Sequence, residues 1–176
     1  SGVAGNTQVA VSWAAPDDDG GSTITGYTVT ASPGGATCTT ASTTCVVTGL
    51  TNGTAYTFTV VATNTAGDSG ASSASNSATP LTIPNAPTSV SGVSGDTQVV
   101  VSWVAPVDDG GSPVTSYKTT ASPGGAICTT ASTTCVVTGL TNGTAYTFTV
   151  VATNTAGDSG TSSASSPVTP LTVPNA

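Results

Sequence analysis

Apolar and polar residues alternate in several short runs of this chain, and each run predicts a half-buried β-strand. In residues 56–62, Tyr-Thr-Phe-Thr-Val-Val-Ala, the aromatic and aliphatic side chains are predicted to face inward and the threonines outward. Residues 8–13 alternate in the same way and place Val9, Val11 and Trp13 on one face. No segment shows a sustained helical period, so the pattern favours an all-β chain.

Further strands are predicted between turn signals. They cover residues 27–31, 36–40 and 44–48, with a weak serine-rich edge strand at about 71–79. Turns are predicted at Pro33-Gly34-Gly35 and Asn52-Gly53, and a turn-rich loop at residues 64–70. Short strands with frequent turn signals are typical of a sandwich or a barrel.

The whole pattern occurs twice, ninety positions apart. Trp13 recurs as Trp103 and Tyr56 as Tyr146, and residues 38–70 are repeated without a change. This period is too long for a solenoid repeat of roughly 20–50 residues. It fits one small sandwich of about 100 residues.

The joint between the two copies is rich in proline. Proline restricts the backbone, so residues 79–87 predict a short, semi-rigid connection. We therefore predict module 1 at residues 1–82, a linker at 83–86 and module 2 at 87–172. Residues 173–176 repeat the start of the joint and predict a linker to a further repeat in a longer array.

Composition separates this chain from several functional classes. Hydrophobic residues make up 36% of it, which favours a packed core over disorder. The net charge is −7, and Lys118 is the only basic side chain. Nucleic acids are bound through Lys and Arg, so we expect no nucleic-acid partner. No apolar run approaches the roughly 20 residues that span a bilayer, so we expect no membrane insertion.

The order of the motifs is more specific than any single one. Val-x-Val-x-Trp is followed by Pro-x-Asp-Asp-Gly-Gly-Ser-x-Ile-Thr-Gly-Tyr and then by Gly-Leu-x-x-Gly-Thr-x-Tyr-x-Phe-x-Val. This order resembles the fibronectin type III family, twice, over essentially the whole chain. The resemblance implies two tandem immunoglobulin-like β-sandwiches, with Trp13 and Trp103 in the cores and Tyr56 and Tyr146 at a strand corner. The threonine-rich, lysine-poor version is similar to modules of bacterial secreted and cell-surface proteins.

Each copy carries two cysteines at the same spacing. We expect disulfides between Cys38 and Cys45 and between Cys128 and Cys135, each pinning a short edge strand to its neighbour. Closing such a loop stabilises a module by roughly 2–3 kcal/mol in the chain-entropy model. Metal binding is the alternative, but the chain has no histidine and no Cys-x-x-Cys spacing. Disulfides imply an oxidising compartment.

Three other motifs have both a functional and a structural interpretation. The acidic residues 17–19, before Gly20-Gly21, could hold Ca²⁺ or form a solvated turn, and copy two has Val107 in place of Asp17. Residues 66–69 lie where a relative carries an Arg-Gly-Asp motif, but Ala66 replaces the arginine, which favours a turn. Asn52 and Asn142 begin glycosylation sequons that are also tight-turn dipeptides. We expect no metal and no cofactor.

Catalysis is not expected. Without histidine no Ser-His-Asp triad forms, and a Walker-type loop needs a lysine that is missing. The leading hypothesis is a non-catalytic structural or adhesive repeat in an extracellular or cell-surface stalk or fibre. Its partners are then neighbouring domains or other copies, with lateral self-association. The alternative is an accessory spacer or carbohydrate-binding module of a secreted polysaccharide-degrading enzyme.

Overall fold

The computed structural model describes residues 1–172 and divides the chain into two compact units. Module 1 is Ser1–Thr82, and module 2 begins at Ile83. The structure therefore groups residues 83–86, predicted as a linker, with the second unit. The predicted linker at residues 173–176 lies outside the described residues. Residues 1–172 contain strands and turns and no helix, so the chain is all-β, as predicted.

Module 1 consists of two antiparallel sheets. Its strands are β1 (Gly2–Gly5), β2 (Gln8–Ser12), β3 (Gly26–Ser32), β4 (Thr37–Thr40), β5 (Thr44–Thr48), β6 (Thr57–Asn64) and β7 (Gly67–Asp68). One sheet has the order β1-β2-β5 and the other β4-β3-β6-β7. The register pairs Val9 with Val47 and Val29 with Val60, so the inward positions of neighbouring strands coincide.

Module 2 repeats this topology. Its strands are β8 (Thr88–Gly95), β9 (Gln98–Val104), β10 (Ser116–Ser122), β11 (Ile127–Thr130), β12 (Thr134–Thr138), β13 (Thr147–Asn154) and β14 (Gly157–Asp158). They form sheets of order β12-β9-β8 and β11-β10-β13-β14. Identical strand sequences therefore reach identical places in both modules.

The core lies between the two sheets of each module. Alternating residues of β2, β3 and β6 point into it, as the period-2 pattern predicts. In module 1 the buried residues are Val9, Val11, Val29, Ala31, Val47, Leu50, Tyr56 and Phe58. Module 2 buries the counterparts of these residues, with Thr119 in place of Val29, and also Trp103, Cys135, Val150 and Ala152.

The structure corrects the sequence-based strand assignment in two places. The first strand of each module, β1 or β8, was not predicted, because Gly-Val-Ala-Gly and Thr-Ser-Val-Ser-Gly have little apolar alternation. Residues 71–79 were predicted as a weak edge strand, but only Ala78 forms a bridge, to Tyr56. The other contacts of this segment with β6 are hydrogen bonds from serine backbone N–H groups and to serine hydroxyls.

Among the described residues, no helix is long and apolar enough to cross a membrane.

Candidate functional site

An open groove lies on the surface of module 1. Its volume is about 640 Å³. Its lining includes the apolar residues Trp13, Tyr27 and Val60 and the acidic residues Asp18 and Asp68. The rings of Trp13 and Tyr27 meet edge to face, with centroids 5.4 Å apart. This is the usual geometry of a core aromatic pair, but here one side of the tryptophan is open.

The same surface is closed in module 2. Trp103 is 5% exposed, whereas Trp13 is only partly buried. Ala152 is fully buried, whereas the identical Ala62 is partly exposed. The resemblance placed both tryptophans in the cores; Trp103 is part of the buried core of module 2, and Trp13 is partly buried and packs against the core of module 1. The difference does not come from residues 38–70, because residues 128–160 repeat them without a change.

Each module contains one disulfide. Cys38 bonds Cys45 and Cys128 bonds Cys135, with Cα atoms 6.3 Å apart in each pair. Cys38 is on β4, at the edge of the four-stranded sheet, and Cys45 is on β5, at the edge of the three-stranded sheet. The bridge therefore joins the two sheets of the sandwich, whereas a link between neighbouring strands was expected.

The tyrosines of the strand corner are held by a backbone hydrogen bond. The Thr51 N–H donates to the Tyr56 hydroxyl at 3.0 Å, and the Thr141 N–H donates to Tyr146 at 3.1 Å. The Thr51 hydrogen bond favours the phenolate and lowers the pKa of Tyr56. Both tyrosines are 7% exposed, so they serve packing and the corner.

The acidic residues form turns. Asp18 Oδ1 accepts the Gly20 N–H at 2.8 Å and Asp19 Oδ1 accepts the Gly21 N–H at 2.9 Å. Both glycines have positive φ, which the turn requires. Module 2 repeats both bonds. Within residues 1–172 no three His, Cys, Asp or Glu side chains cluster as metal ligands.

The Ala-Gly-Asp-Ser loop is likewise engaged with its own hairpin. Asp68 Oδ1 accepts the Thr63 hydroxyl at 2.6 Å, and Asn64 Oδ1 accepts the Ala66 N–H at 2.8 Å. The sequon residue Asn52 also has structural partners, since its Oδ1 accepts the Thr7 N–H at 2.9 Å. These contacts support the turn interpretation of both motifs.

The comparisons agree with this architecture. The model of the fibronectin type III domain matches residues 2–78 and 85–169. The chain therefore belongs to the fibronectin type III family, as two tandem domains. Such tandem domains are typical of structural and adhesion modules, and this family is generally non-catalytic. No curated protein sequence matches the chain.

Two solved structures illustrate the shared fold. A segment of titin is 22% identical over 94% of this chain, with a TM-score of 0.57. The FN1–FN3 domains of chicken CNTN1 are 24% identical over 92%, with a TM-score of 0.50. This chain spans 60% and 62% of those two chains. At these identities the likeness shows the fold alone.

Proposed function

We propose that this chain is a non-catalytic structural or adhesive pair of repeats in an extracellular or cell-surface stalk or fibre. The observation that carries the proposal is the disulfide that ties the two sheets together in each module. Such bonds persist in oxidising compartments and are rare where thiols are kept reduced. They suit a module that must keep its fold outside the cell.

The repetition supports a spacer role. Residues 38–70 recur unchanged in module 2, so any feature in that stretch is present in both modules. A stalk needs length and durability from each module, and near-identical repeats supply both. The domain limits that we propose remain residues 1–82 and 87–172, with linkers at 83–86 and 173–176.

The proposed partners are neighbouring domains of a longer chain and other copies of the repeat. A net charge of −7 with a single basic side chain gives no surface for nucleic acid. Lateral packing between copies would need about 1,000 Å² of interface or more to be stable. The resemblance to bacterial surface modules remains a prediction, to which titin and CNTN1 give no support.

The second candidate is an accessory spacer or carbohydrate-binding module of a secreted polysaccharide-degrading enzyme. Flat sugar-binding faces need exposed aromatic rings, and Tyr27, Tyr56 and Phe58 are each at most 7% exposed. Trp13 is the one feature that favours this function, because it is partly exposed in a groove. The Trp13 ring is held edge to face against the buried Tyr27, so the two rings form no flat aromatic face and the spacer function has the stronger support.

Pulling on single molecules by the two chain ends tests the spacer function. We expect two separate unfolding events, one for each module, and refolding when the force is released. Adding a reducing agent should lengthen each event by about 17–19 Å, because seven extended residue steps then replace the 6.3 Å between the bridged Cα atoms. A chain that extends without resistance would contradict the proposal. Depletion of the protein by insoluble cellulose or chitin, lost in Trp13→Ala, would favour the second candidate.

A further inference from the structure

The outer face of the three-stranded sheet of module 2 carries a row of exposed valines. The register places Val93 of β8 opposite Val100 of β9, and Val100 opposite Val136 of β12. Their side chains are 70%, 39% and 45% exposed, whereas the neighbouring Val99 and Val137 are fully buried in the core. Because side chains alternate between the two faces of a strand, this row lies on the side of the sheet that faces away from the core.

Uncharged polar side chains flank the valine row on both sides. On one side the register aligns Ser91, Ser102 and Thr134. The Oγ atoms of the two serines share a hydrogen bond at 3.1 Å. On the other side the register aligns Gln98 with Thr138. An apolar centre inside a polar rim is the usual composition of a protein–protein interface.

The acidic residues of module 2 lie outside this face. The strands β8, β9 and β12 contain no Asp, Glu, Lys or Arg. Asp96 is in the turn between β8 and β9, Asp108 and Asp109 are in the loop after β9, and Asp158 is on β14 of the other sheet. Copies of a chain with a net charge of −7 repel one another. This face lets two copies meet without placing carboxylates inside the contact.

Module 1 repeats the face with one change. Val3, Ala10 and Val46 form the corresponding row, and all three side chains are exposed. The strands β1, β2 and β5 are likewise free of charged residues. Ala10 offers less apolar surface than Val100 does, so the face of module 2 is the one from which the stronger contact is expected.

We propose that two copies of this chain associate by packing the outer faces of β8, β9 and β12 against each other. The face is self-complementary, because a two-fold axis parallel to the strands brings each row onto its equivalent in the second copy. A partner selected by opposite charge finds no charged group on these strands, so the face fits a second copy better. The proposal rests on the proposed function, since it names the surface through which other copies of the repeat associate laterally.

The contact is small, and the association is therefore weak between free molecules. Three neighbouring strands of this length form a face of roughly 14 by 24 Å. A stable interface takes roughly 800 Å² from each partner, which is more than this face provides. We expect a dissociation constant on the order of 1 mM in dilute solution. Copies held close together, as in a fibre or on a surface, associate more completely because their effective concentration is higher.

The first test records amide NMR spectra of the full ¹⁵N-labelled chain at rising concentration. The signals of Val100 and Val136 should shift with concentration, while those of Thr120 and Thr149 on the opposite sheet stay in place. Absence of these shifts at about 5 mM chain would overturn the proposal and leave the face to another kind of occupant. That result would not affect the spacer function, because pulling on single molecules tests the modules without any contact between copies.

Matched variants locate the contact. Val93→Lys puts a charge into the valine row and should weaken association at least about tenfold in sedimentation equilibrium. Ile127→Lys is the control, because Ile127 is a similarly exposed aliphatic residue on an edge strand of the opposite sheet, and it should leave association unchanged. Both variants change the net charge by the same amount. Equal weakening by the two variants, or full association in Val93→Lys, would place the contact elsewhere and refute the assignment.

A variant of module 1 tests the proposal in the opposite direction. Ala10→Val completes the valine row of that module, and since Ala10 is exposed, the core is left as it is. Association through module 1 should become several-fold stronger, because each copy gains apolar surface at the contact. The concentration-dependent shifts of the amide signals of Val3 and Val46 measure the gain. Unchanged or weaker association in Ala10→Val would overturn the proposal, because it would show that the apolar surface of this face does not hold the copies together.

Discussion

Ser72 makes two hydrogen bonds with Val60. Its N–H donates to the Val60 carbonyl at 2.9 Å, and its Oγ accepts the Val60 N–H at 3.0 Å. Ser69 and Ser75 make the same pair of bonds with Ala62 and Phe58. In residues 69–75 every third residue is therefore paired with every second residue of β6. The serine hydroxyl accepts the N–H of β6 that the carbonyl of a neighbouring strand would otherwise accept.

Replacing the middle serine of this segment with alanine should destabilise module 2 more than module 1. Ser162→Ala removes the acceptor of the Val150 N–H, which is fully buried, and should cost module 2 about 1–3 kcal/mol. Ser72→Ala should cost module 1 less than about 1 kcal/mol, because water reaches the partly exposed Val60. Urea denaturation followed by the amide NMR signals of each module measures both losses.

The control for these serines is Ser163→Ala. Ser163 is exposed, and its carbonyl, which accepts the Ser162 hydroxyl, is kept in the variant. We expect its effect to stay within about 0.5 kcal/mol. Equal losses of stability in Ser72→Ala and Ser162→Ala would contradict the expectation that the loss depends on the burial of the N–H group left without an acceptor.

Thr119 predicts a stabilising substitution. It is fully buried, and its Oγ1 has no hydrogen-bond partner within the described part of the chain. Module 1 has Val29 at this position, so the valine shape is already known to fit. Thr119→Val should stabilise module 2 by about 1–3 kcal/mol, and Val29→Thr should destabilise module 1 by a similar amount. A Thr119→Val chain that unfolds at lower urea would show that the hydroxyl has a partner.

Removing one disulfide should lower the stability of only the module that contains it. The double variant Cys38→Ser, Cys45→Ser should destabilise module 1 by roughly 2–3 kcal/mol and leave module 2 unchanged, because the closed loop no longer restricts the unfolded chain. Module-resolved urea denaturation measures it, and Cys128→Ser with Cys135→Ser is the mirror control. A loss shared equally by the two modules would contradict independent cores.

Removing the hydroxyl of either corner tyrosine should lower the stability of its module by a similar amount. Tyr56→Phe and Tyr146→Phe each remove the hydroxyl that accepts a backbone N–H, at 3.0 and 3.1 Å. Each should cost its own module about 1 kcal/mol without changing the fold. Thermal denaturation of the two single variants and of the double variant checks this, since effects in separate modules add. A strongly non-additive double variant would be evidence against the assignment.

The sequence predicted the all-β class and most strands, because a buried face imposes a period of two on the residues that cover it. It did not predict the segment at residues 71–79 correctly, because a repeat of three serines has no apolar alternation to reveal it. The sequence nevertheless contains a regular pattern for this segment, because serines 69, 72 and 75 are evenly spaced and serines 159, 162 and 165 are spaced in the same way.

The candidate site was less predictable. Trp13 and Trp103 occupy equivalent positions in the repeat, and only the structure shows that one is partly exposed and the other buried. Residues 83–86, which the sequence marked as a linker, contact module 2 through the Asn85 N–H and the Ile83 side chain. Burial that depends on a distant, irregular segment has no periodic signature.

The most direct test of the extracellular account is the intact mass of the chain recovered from its native cells with all free thiols blocked at lysis. We predict no alkylation at Cys38, Cys45, Cys128 or Cys135, and a mass lower than that of the reduced chain by two hydrogens for each bridge. Alkylation at all four cysteines would show that the chain resides in a reducing compartment and would contradict the proposed extracellular function.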